Sequence, residues 1–449
     1  MKTIWIALAA ALMLPPLFAA VPDPATYIPD ASKSDIYLPY LKRIPLSGWW
    51  KLNKVSSDRK NDLDDAGRKG NFLAADFDDS GWTKDVVPND IHVPFLMRVP
   101  EKTGWEEMQK ALPREVREWG GVAYFRRDFT APELGGKERA ILTFDEVGGD
   151  FTLYVNGRKI GEGAPGDPPD RYLGPGSPQS FDITDALRPG KKNNITLRLF
   201  SSGEPVRWGW AAKAGILGLV YLDIRPAAWT ANILVTPQKN LSDVLFDCIV
   251  SGSDRKADED GWTGEIFEWN SGKKVASFPF GNPHGEDGMR MISGTGRIDD
   301  ARLWSCESPF LYGVRVRNAR GEVAGVQRFG MRTFGVKDGN FVLNGKPVML
   351  RGLTHHGHAL YQFFRHGWMH AFRLNVDDVC RRYWQVLGKD ANVNHIRIHS
   401  ETFPRGLYDV FDEFGIIVTD ELAYPAVRIK TPERADQIDV KGFDGACDP

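Results

Sequence analysis

The sequence predicts a multidomain protein in which two successive β-sandwiches precede an incomplete (β/α)8 barrel of the TIM type. At 449 residues, the chain is longer than a single ordinary domain. Most of the chain before residue 337 reads as short strands of alternating apolar and polar residues, separated by turn residues. From Phe341 to Glu421, strands alternate with helices, which is typical of βαβ units with parallel strands.

The composition excludes several classes of protein. Hydrophobic residues make up 42% of the chain and charged residues 26%, as in soluble globular proteins. The net charge of −2 provides no basic field, so we expect no nucleic-acid partner. The 14 Trp and 25 Phe residues suit the C–H faces of sugars, although hydrophobic cores use the same side chains.

The first twenty residues have the layout of a secretory signal peptide. Lys2 precedes an apolar run from Ile4 to Leu14, and Ala19-Ala20 mark a cleavage site. A membrane anchor is the alternative, but it needs about 20 apolar residues and this run is shorter. We therefore expect residues 1–20 to be removed and residues 21–45 to form an extended lead-in. The mature protein is expected to be secreted or periplasmic, with no membrane partner.

Residues 46–226 are predicted to form the first β-sandwich. Residues 151–155 alternate between apolar and other side chains, and Asn156-Gly157 then supplies a type I′ turn. Residues 195–199 alternate in the same way. One face of each strand is therefore expected to be buried.

Residues 227–336 are predicted to form a second, immunoglobulin-like sandwich. Residues 314–317 alternate between Val and Arg, as along a half-exposed strand. Cys248 and Cys306 both fall in this region and could pair in an oxidising compartment, whereas Cys380 is expected to be an inert thiol on a helix face. The cysteines do not have the spacing of a zinc site.

Residues 337–449 are predicted to begin the barrel, with a hairpin turn at Asn344-Gly345. Phe341–Leu343 and Val348–Leu350 are the arms of this hairpin, which leads into a first strand that ends at Arg351-Gly352. The next strands are predicted at His395–His399 and Ile416–Thr419, and the helices begin near Asn375 and Leu407. A complete barrel takes about 250 residues. This region has only 113, so we expect the chain to be a fragment of a longer protein.

Polar side chains follow the predicted parallel strands where each strand ends, which is where such barrels place their active sites. These residues are His355, His356, His358, Arg397, His399, Asp420 and Glu421. Arginine and histidine donate hydrogen bonds and carboxylates accept them, so the set suits a polyhydroxylated ligand. Three alternatives remain open: zinc binding by the histidines, a structural ion pair for Arg397, and a polar loop start at Asp420-Glu421. The sequence lacks the motifs of serine hydrolases, phosphate-binding loops and dinucleotide sites, and we expect no cofactor.

Several segments, in order, resemble glycoside hydrolase family 2, which includes β-galactosidases, β-glucuronidases and β-mannosidases. The resemblance runs from about Leu46 to Tyr424. The segments that resemble its sugar-binding jelly-roll are 46–49, 78–82, 124–132, 155–157, 181–184 and 215–222. The segments that resemble its immunoglobulin-like domain and barrel entry are 303–305, 309–312, 329–332 and 341–352. The implied fold is a galactose-binding-like jelly-roll, an immunoglobulin-like sandwich and a TIM barrel.

The resemblance implies which residues contact substrate. His356 matches the family histidine after the first barrel strand, and Asn394 with Arg397 match an Asn-x-x-Arg signature whose arginine lies beside the nucleophile. His399 matches less well, because Ser400-Glu401 follows it where the family pattern has Tyr-Pro. Glu421 is expected to contact substrate but comes too early to be the acid/base. The Glu-x-His magnesium ligands of some β-galactosidases are missing, so no metal is expected.

The family's activity, retaining hydrolysis, uses two glutamates that are about 5–5.5 Å apart. The acid/base follows a Gly-Asn-Glu type motif, but no Asn-Glu dipeptide occurs in this sequence. We therefore expect an exported hydrolase of terminal β-linked sugars whose present chain is inactive alone. One alternative is a non-catalytic carbohydrate-binding or adaptor protein, with Trp208 and Trp210 stacking on a glycan or packing in a core. Another is a pseudoenzyme scaffold in a larger complex.

Overall fold

The structure of the protein is a computed structural model. It describes residues 42–56, 67, 69–87, 119–145, 147–163, 179–201, 214–216, 218–252, 261–285, 290–356, 386–399 and 405–420. The predictions for the signal peptide, Trp208, Trp210, His358, Cys380 and Glu421 lie outside these residues. No helix in the described part of the chain is long and apolar enough to cross a membrane.

Two antiparallel sheets build the first β region. Its strands are β1 (Lys42–Pro45), β2 (Gly48–Lys54), β3 (Thr83–Val87), β4 (Gly121–Thr130), β5 (Arg139–Phe144), β6 (Val147–Gly148), β7 (Asp150–Val155), β8 (Arg158–Gly163), β9 (Gln179–Asp182), β10 (Lys192–Ser201), β11 (Gly215–Ile216) and β12 (Val220–Arg225). A four-stranded sheet has the order β1-β12-β5-β9, and a six-stranded sheet has the order β3-β2-β4-β10-β7-β8. The short strands β6 and β11 pair separately.

Alternating apolar residues join these two sheets through one core. Leu153 on β7 and Leu197 on β10 are cross-strand partners, and both are fully buried. They belong to the same apolar cluster as Leu142 and Leu222 from the other sheet. The predicted alternation and β-sandwich packing are therefore found here. The predicted turn is also confirmed, because Asn156 and Gly157 both have positive φ, as a type I′ turn requires.

The second β region is built in the same way from seven strands in the described residues. They are β13 (Ala228–Pro237), β14 (Asp243–Gly252), β15 (Thr263–Glu268), β16 (Lys274–Pro279), β17 (Arg290–Arg297), β18 (Tyr312–Arg317) and β19 (Val323–Phe329). The sheet orders are β13-β14-β17 and β16-β15-β18-β19. Val314 and Val316 are fully buried while the arginines between and after them are half-buried, as the alternation predicted.

Cys248 and Cys306 do not pair, which excludes the disulfide considered from the sequence. Cys248 lies inside the core of the second β region, whereas Cys306 packs against a separate cluster that contains Trp304 and Leu343. Burial raises the pKa of both thiols. Both cysteines are therefore expected to remain protonated and poorly reactive near neutral pH.

The third part begins with an antiparallel meander and continues as a parallel sheet. The meander consists of β20 (Phe334–Lys337), β21 (Asn340–Leu343) and β22 (Lys346–Pro347). The parallel sheet has the order β23 (Gly352–His356), β24 (His395–His399), β25 (Ile417–Asp420). A short π-helical turn at Val386–Asp390 precedes β24, and helix α1 (Arg405–Phe414) connects β24 to β25.

Local signals predicted most of this third part correctly. Asn344 and Gly345 have the positive φ values of the predicted turn, and β24 has the predicted bounds. The first barrel strand is displaced from its predicted position, because the prediction ended it at Arg351-Gly352 whereas β23 begins at Gly352. Val348–Leu350, predicted as the second arm of the hairpin, has no strand structure, and that arm is β22 instead. Of the helix predicted after Asn375, the structure describes only the π-helical turn.

The second β region packs directly on α1. Arg328 of β19 is buried and donates to the backbone oxygen of Asp409 and the carboxylate of Glu413, at 2.7 Å each. The Trp304 indole N–H donates to the backbone oxygen of Asp412 at 2.8 Å. These contacts fix the helix that follows β24 and thereby help to position the parallel sheet.

Candidate active site

The carboxyl edge of the parallel sheet collects several of the predicted site residues. The in-register pairing of β23 with β24 sets His356 opposite His399 at this edge. Two residues before His399 on β24, Arg397 lies between Thr354 on β23 and Thr419 on β25. The backbone therefore brings His356, Arg397 and His399 together at the ends of adjacent strands.

The two faces of β24 differ in polarity. Ile396 and Ile398 are fully buried, whereas Arg397 between them is half-buried. Thr354 and Thr419, which flank Arg397 across the sheet, are exposed. Because side chains of a strand alternate between its faces, Arg397 lies on a polar and accessible face of the sheet. This face can offer charge and hydrogen bonds to a polar ligand.

Asp420 ends β25 with an exposed carboxylate that accepts a hydrogen bond from the Tyr408 hydroxyl at 2.5 Å. Tyr408 lies on α1, so this bond ties the helix to the end of the next strand. Sequence reasoning did not identify Tyr408, because an aromatic residue within a helix carries no mark of a partner in a neighbouring strand. Glu421, the next residue along the chain, is outside the described residues.

His395 is a second residue of this face that the sequence did not single out. Its Nε2 lies 2.9 Å from the Thr419 hydroxyl, and burial lowers the pKa of the imidazole. The ring is therefore expected to be neutral at neutral pH. His395 begins β24, two residues before Arg397, so it lies on the same face as Arg397 but nearer the amino edge of the sheet.

Asn394 lies away from the carboxyl edge of the parallel sheet. It precedes β24, at the amino edge of the sheet, and is buried. Its Oδ1 accepts from the Arg351 N–H at 2.7 Å, and its Nδ2 donates to the Met349 oxygen at 3.0 Å. Its backbone oxygen accepts from Ile417 at 2.9 Å. These hydrogen bonds give Asn394 a structural role, that of joining the starts of three strands, while its predicted contact with substrate stays a prediction.

Replacing Asn394 with alanine is expected to lower the free energy of unfolding by about 1–3 kcal/mol, because buried backbone partners lose their hydrogen bonds. The matched control is Asn340→Ala, since Asn340 is exposed and its Nδ2 bonds only to the nearby Asp338 oxygen at 3.1 Å. Urea unfolding of both variants measures the difference. Equal stability of the two variants would contradict the structural role.

The described residues contain no group of three or more His, Cys, Asp or Glu side chains arranged to hold a metal ion.

The order of two antiparallel β regions, a meander and parallel βα strands is that of a multidomain protein with a barrel-type domain. The family model described as "Glycosyl hydrolases family 2, TIM barrel domain" matches residues 334–441. This stretch of the chain is therefore similar to the barrel domain of glycoside hydrolase family 2.

The sequence is similar to several curated proteins. A putative beta-glucuronidase of Formosa agariphila is 25% identical over 372 residues, which cover 81% of this chain and 32% of that protein. A beta-galactosidase of Arthrobacter sp. is 28% identical, with 76% of this chain and 31% of that protein covered. The chain thus spans about a third of the length of these relatives.

Solved structures share the fold. A glycosyl hydrolase family 2 member from Bacteroides cellulosilyticus has a TM-score of 0.61 at 19% identity, covering 86% of this chain and 46% of that one. The Bacteroides uniformis beta-glucuronidase also has a TM-score of 0.61, at 21% identity, covering 88% and 44%.

Proposed function

We propose that this chain serves in an exported retaining glycosidase that hydrolyses terminal β-linked sugars of oligo- or polysaccharides. The match of residues 334–441 to the family model and the relatives described as beta-galactosidase and putative beta-glucuronidase support this class of reaction. The observation that carries the proposal is the in-register pairing of β23 with β24, which sets His356 beside His399 above Arg397. The proposal also assigns a jelly-roll fold to the first β region and an immunoglobulin-like fold to the second.

The proposed roles follow from the chemistry of each side chain. A neutral histidine can donate to or accept from a sugar hydroxyl, which suits His356 and His399. Arg397 is always charged and holds its donors in a fixed fork, so it can orient a carboxylate or a ring oxygen. Asp420 and Glu421 would accept hydrogen bonds from hydroxyls at the end of the third strand. These residues bind and orient substrate, and none of them is assigned as acid/base or nucleophile.

The chain by itself is expected to show no turnover of aryl β-galactosides, β-glucuronides or β-mannosides above a heat-denatured control. The reason is that no Asn-Glu dipeptide is present to supply the family acid/base. The measurement is release of the aryl group by purified protein at several enzyme concentrations. Turnover proportional to protein concentration would refute the proposed inactivity.

Substrate contact at the sheet edge can be tested separately from turnover. Saturation-transfer NMR with the methyl glycosides of the same sugars is expected to show binding that weakens when Arg397 is changed to glutamine. Arg317→Gln is the matched control, because Arg317 is also half-buried on a strand but lies in the second β region. Equal signals from the two variants would overturn the role of Arg397.

A further inference from the structure

A groove of about 320 Å³ lies in the first β region, away from the parallel sheet. It is bounded by the start of β2, the loop before β3 and the second half of β4. Its walls include Trp49, Lys51, Asp79, Lys84, Arg127 and Asp128. The volume is within the range of sites for small organic ligands, about 300–1,000 Å³.

One wall of this groove is held in place by Arg126. Its buried guanidinium donates to the backbone oxygens of Phe72 and Ala74, and pairs with Asp79 at 3.1 Å. The Phe72 ring also packs edge-on against Tyr124, with centroids 5.4 Å apart. These contacts hold the loop that carries Asp79 against β4, so this wall of the groove has a fixed position.

The acidic residues of the groove are already neutralised. Asp79 pairs with Arg126, while Asp128 pairs with Lys192 at 2.7 Å and accepts from the Asn194 amide at 2.8 Å. Each carboxylate therefore has its own cationic partner, Arg126 for Asp79 and Lys192 for Asp128. These two carboxylates are therefore already engaged and do not neutralise the remaining basic residues of the groove.

Arg127, Lys84 and Lys51 of the groove form no ion pair among the described residues. Arg127 donates from one terminal nitrogen to the Trp49 backbone oxygen at 2.9 Å, and its buried Nε has no hydrogen-bond partner there. Burial lowers the pKa of this guanidinium. Lys84 is exposed at the same groove and forms no ion pair within the described residues. The Lys51 ammonium donates a hydrogen bond to the Asp79 backbone oxygen at 3.2 Å.

We propose that this groove binds an anionic group, a carboxylate or a sulfate, carried on a saccharide. Removing an arginine from water without a counter-charge is unfavourable, and an oxyanion would supply both the charge and acceptors for its fork of donors. Trp49 offers an apolar surface next to these cations for a sugar ring. The saccharide part of the inference rests on the proposed function, while the anionic part rests on the groove alone.

The test is affinity electrophoresis of the full chain in native gels that contain polygalacturonate, dextran sulfate or neutral dextran. At least one of the two anionic polymers is expected to retard the protein. Neutral dextran is expected to leave its mobility unchanged. The double variant Arg127→Gln/Lys84→Gln is expected to bind about tenfold more weakly, since two charge-assisted contacts are lost. The matched control is Lys239→Gln/Lys346→Gln, which removes the same charge at exposed positions elsewhere.

The outcomes separate the possible ligands. Retardation by polygalacturonate alone supports a carboxylate, by dextran sulfate alone a sulfate, and by both a general oxyanion site. Equal weakening in the two double variants, or no retardation of the parent chain, overturns the proposal. The exposed position of Lys84 allows Lys84→Glu as a second variant with little risk to folding, and unchanged binding by that variant overturns it too. Failure of the sugar-binding test at Arg397 would leave this result unaffected.

Discussion

Replacing Arg328 with methionine is expected to lower the free energy of unfolding by about 3–5 kcal/mol, as measured when one member of a buried ion pair is removed. Arg328 is buried, with the Asp409 carboxylate at 3.3 Å, Asp412 at 3.6 Å and Glu413 at 2.7 Å. Methionine fills much of the same volume but supplies no charge. Asp409, which is also buried, would lose its cation. Urea unfolding followed by tryptophan fluorescence measures the loss.

A matched control for this substitution is Arg297→Met. Arg297 also has two carboxylate partners, Asp243 at 3.1 Å and Asp299 at 2.9 Å, but its side chain is 62% exposed. An exposed pair contributes little because water and salt screen it, so this variant should remain close to the parent protein in stability. Hydrogen exchange of β19 and α1 should increase only in the Arg328 variant. Similar losses in both variants would show that burial is not what makes the Arg328 contacts important.

Replacing Gly415 with alanine is expected to cost about 2–5 kcal/mol, from a backbone penalty of about 1–2 kcal/mol and a steric penalty of about 1–3 kcal/mol. Gly415 follows α1 with φ of +72°, in the left-handed region that ends many helices. A Cβ at this position would lie 2.8 Å from the carbonyl carbon of Cys306. The substitution would therefore push the helix end away from the second β region. Urea unfolding of the variant, followed by tryptophan fluorescence, measures this loss.

Gly272→Ala separates the two contributions. Gly272 has nearly the same backbone conformation, with φ of +69°, but no atom lies within 4 Å of the position of its Cβ. It should show the backbone penalty alone, about 1–2 kcal/mol. Thermal unfolding of both variants gives the comparison. A Gly415 variant no less stable than the Gly272 variant would mean that the contact with Cys306 is easily relieved.

Local sequence signals predicted the local structure well. Asn156-Gly157 and Asn344-Gly345 form the expected turns because few other residue pairs adopt positive φ twice. Strand β24 was predicted from its apolar residues and bounded correctly. Val348–Leu350 has equally apolar residues yet forms no strand. Which apolar run pairs with which neighbour is decided by tertiary contacts, and a single sequence does not show these.

The candidate site was predicted only in part for the same reason. The order of strands predicted that His356, Arg397 and His399 would lie near one another, since parallel strands end at a common edge. The sequence could not show that the Asn394 side-chain amide donates to the Met349 backbone oxygen and accepts from the Arg351 N–H. Nor could it show that Asp79 and Asp128 have ion-pair partners while Arg127 has none among the residues that the structure describes. Such facts depend on contacts between residues far apart in the chain.

The contact between Arg328 and α1 also has a consequence for the order of folding. It joins residues that are 81 positions apart in sequence. Once it forms, the intervening chain is closed into a loop, and much of the entropy opposing the pairing of β23 with β24 has already been lost. Parallel strands are intrinsically slow to find each other, so a prior link of this kind shortens their search. If the contact with α1 forms first, the second β region becomes the surface on which the parallel strands assemble.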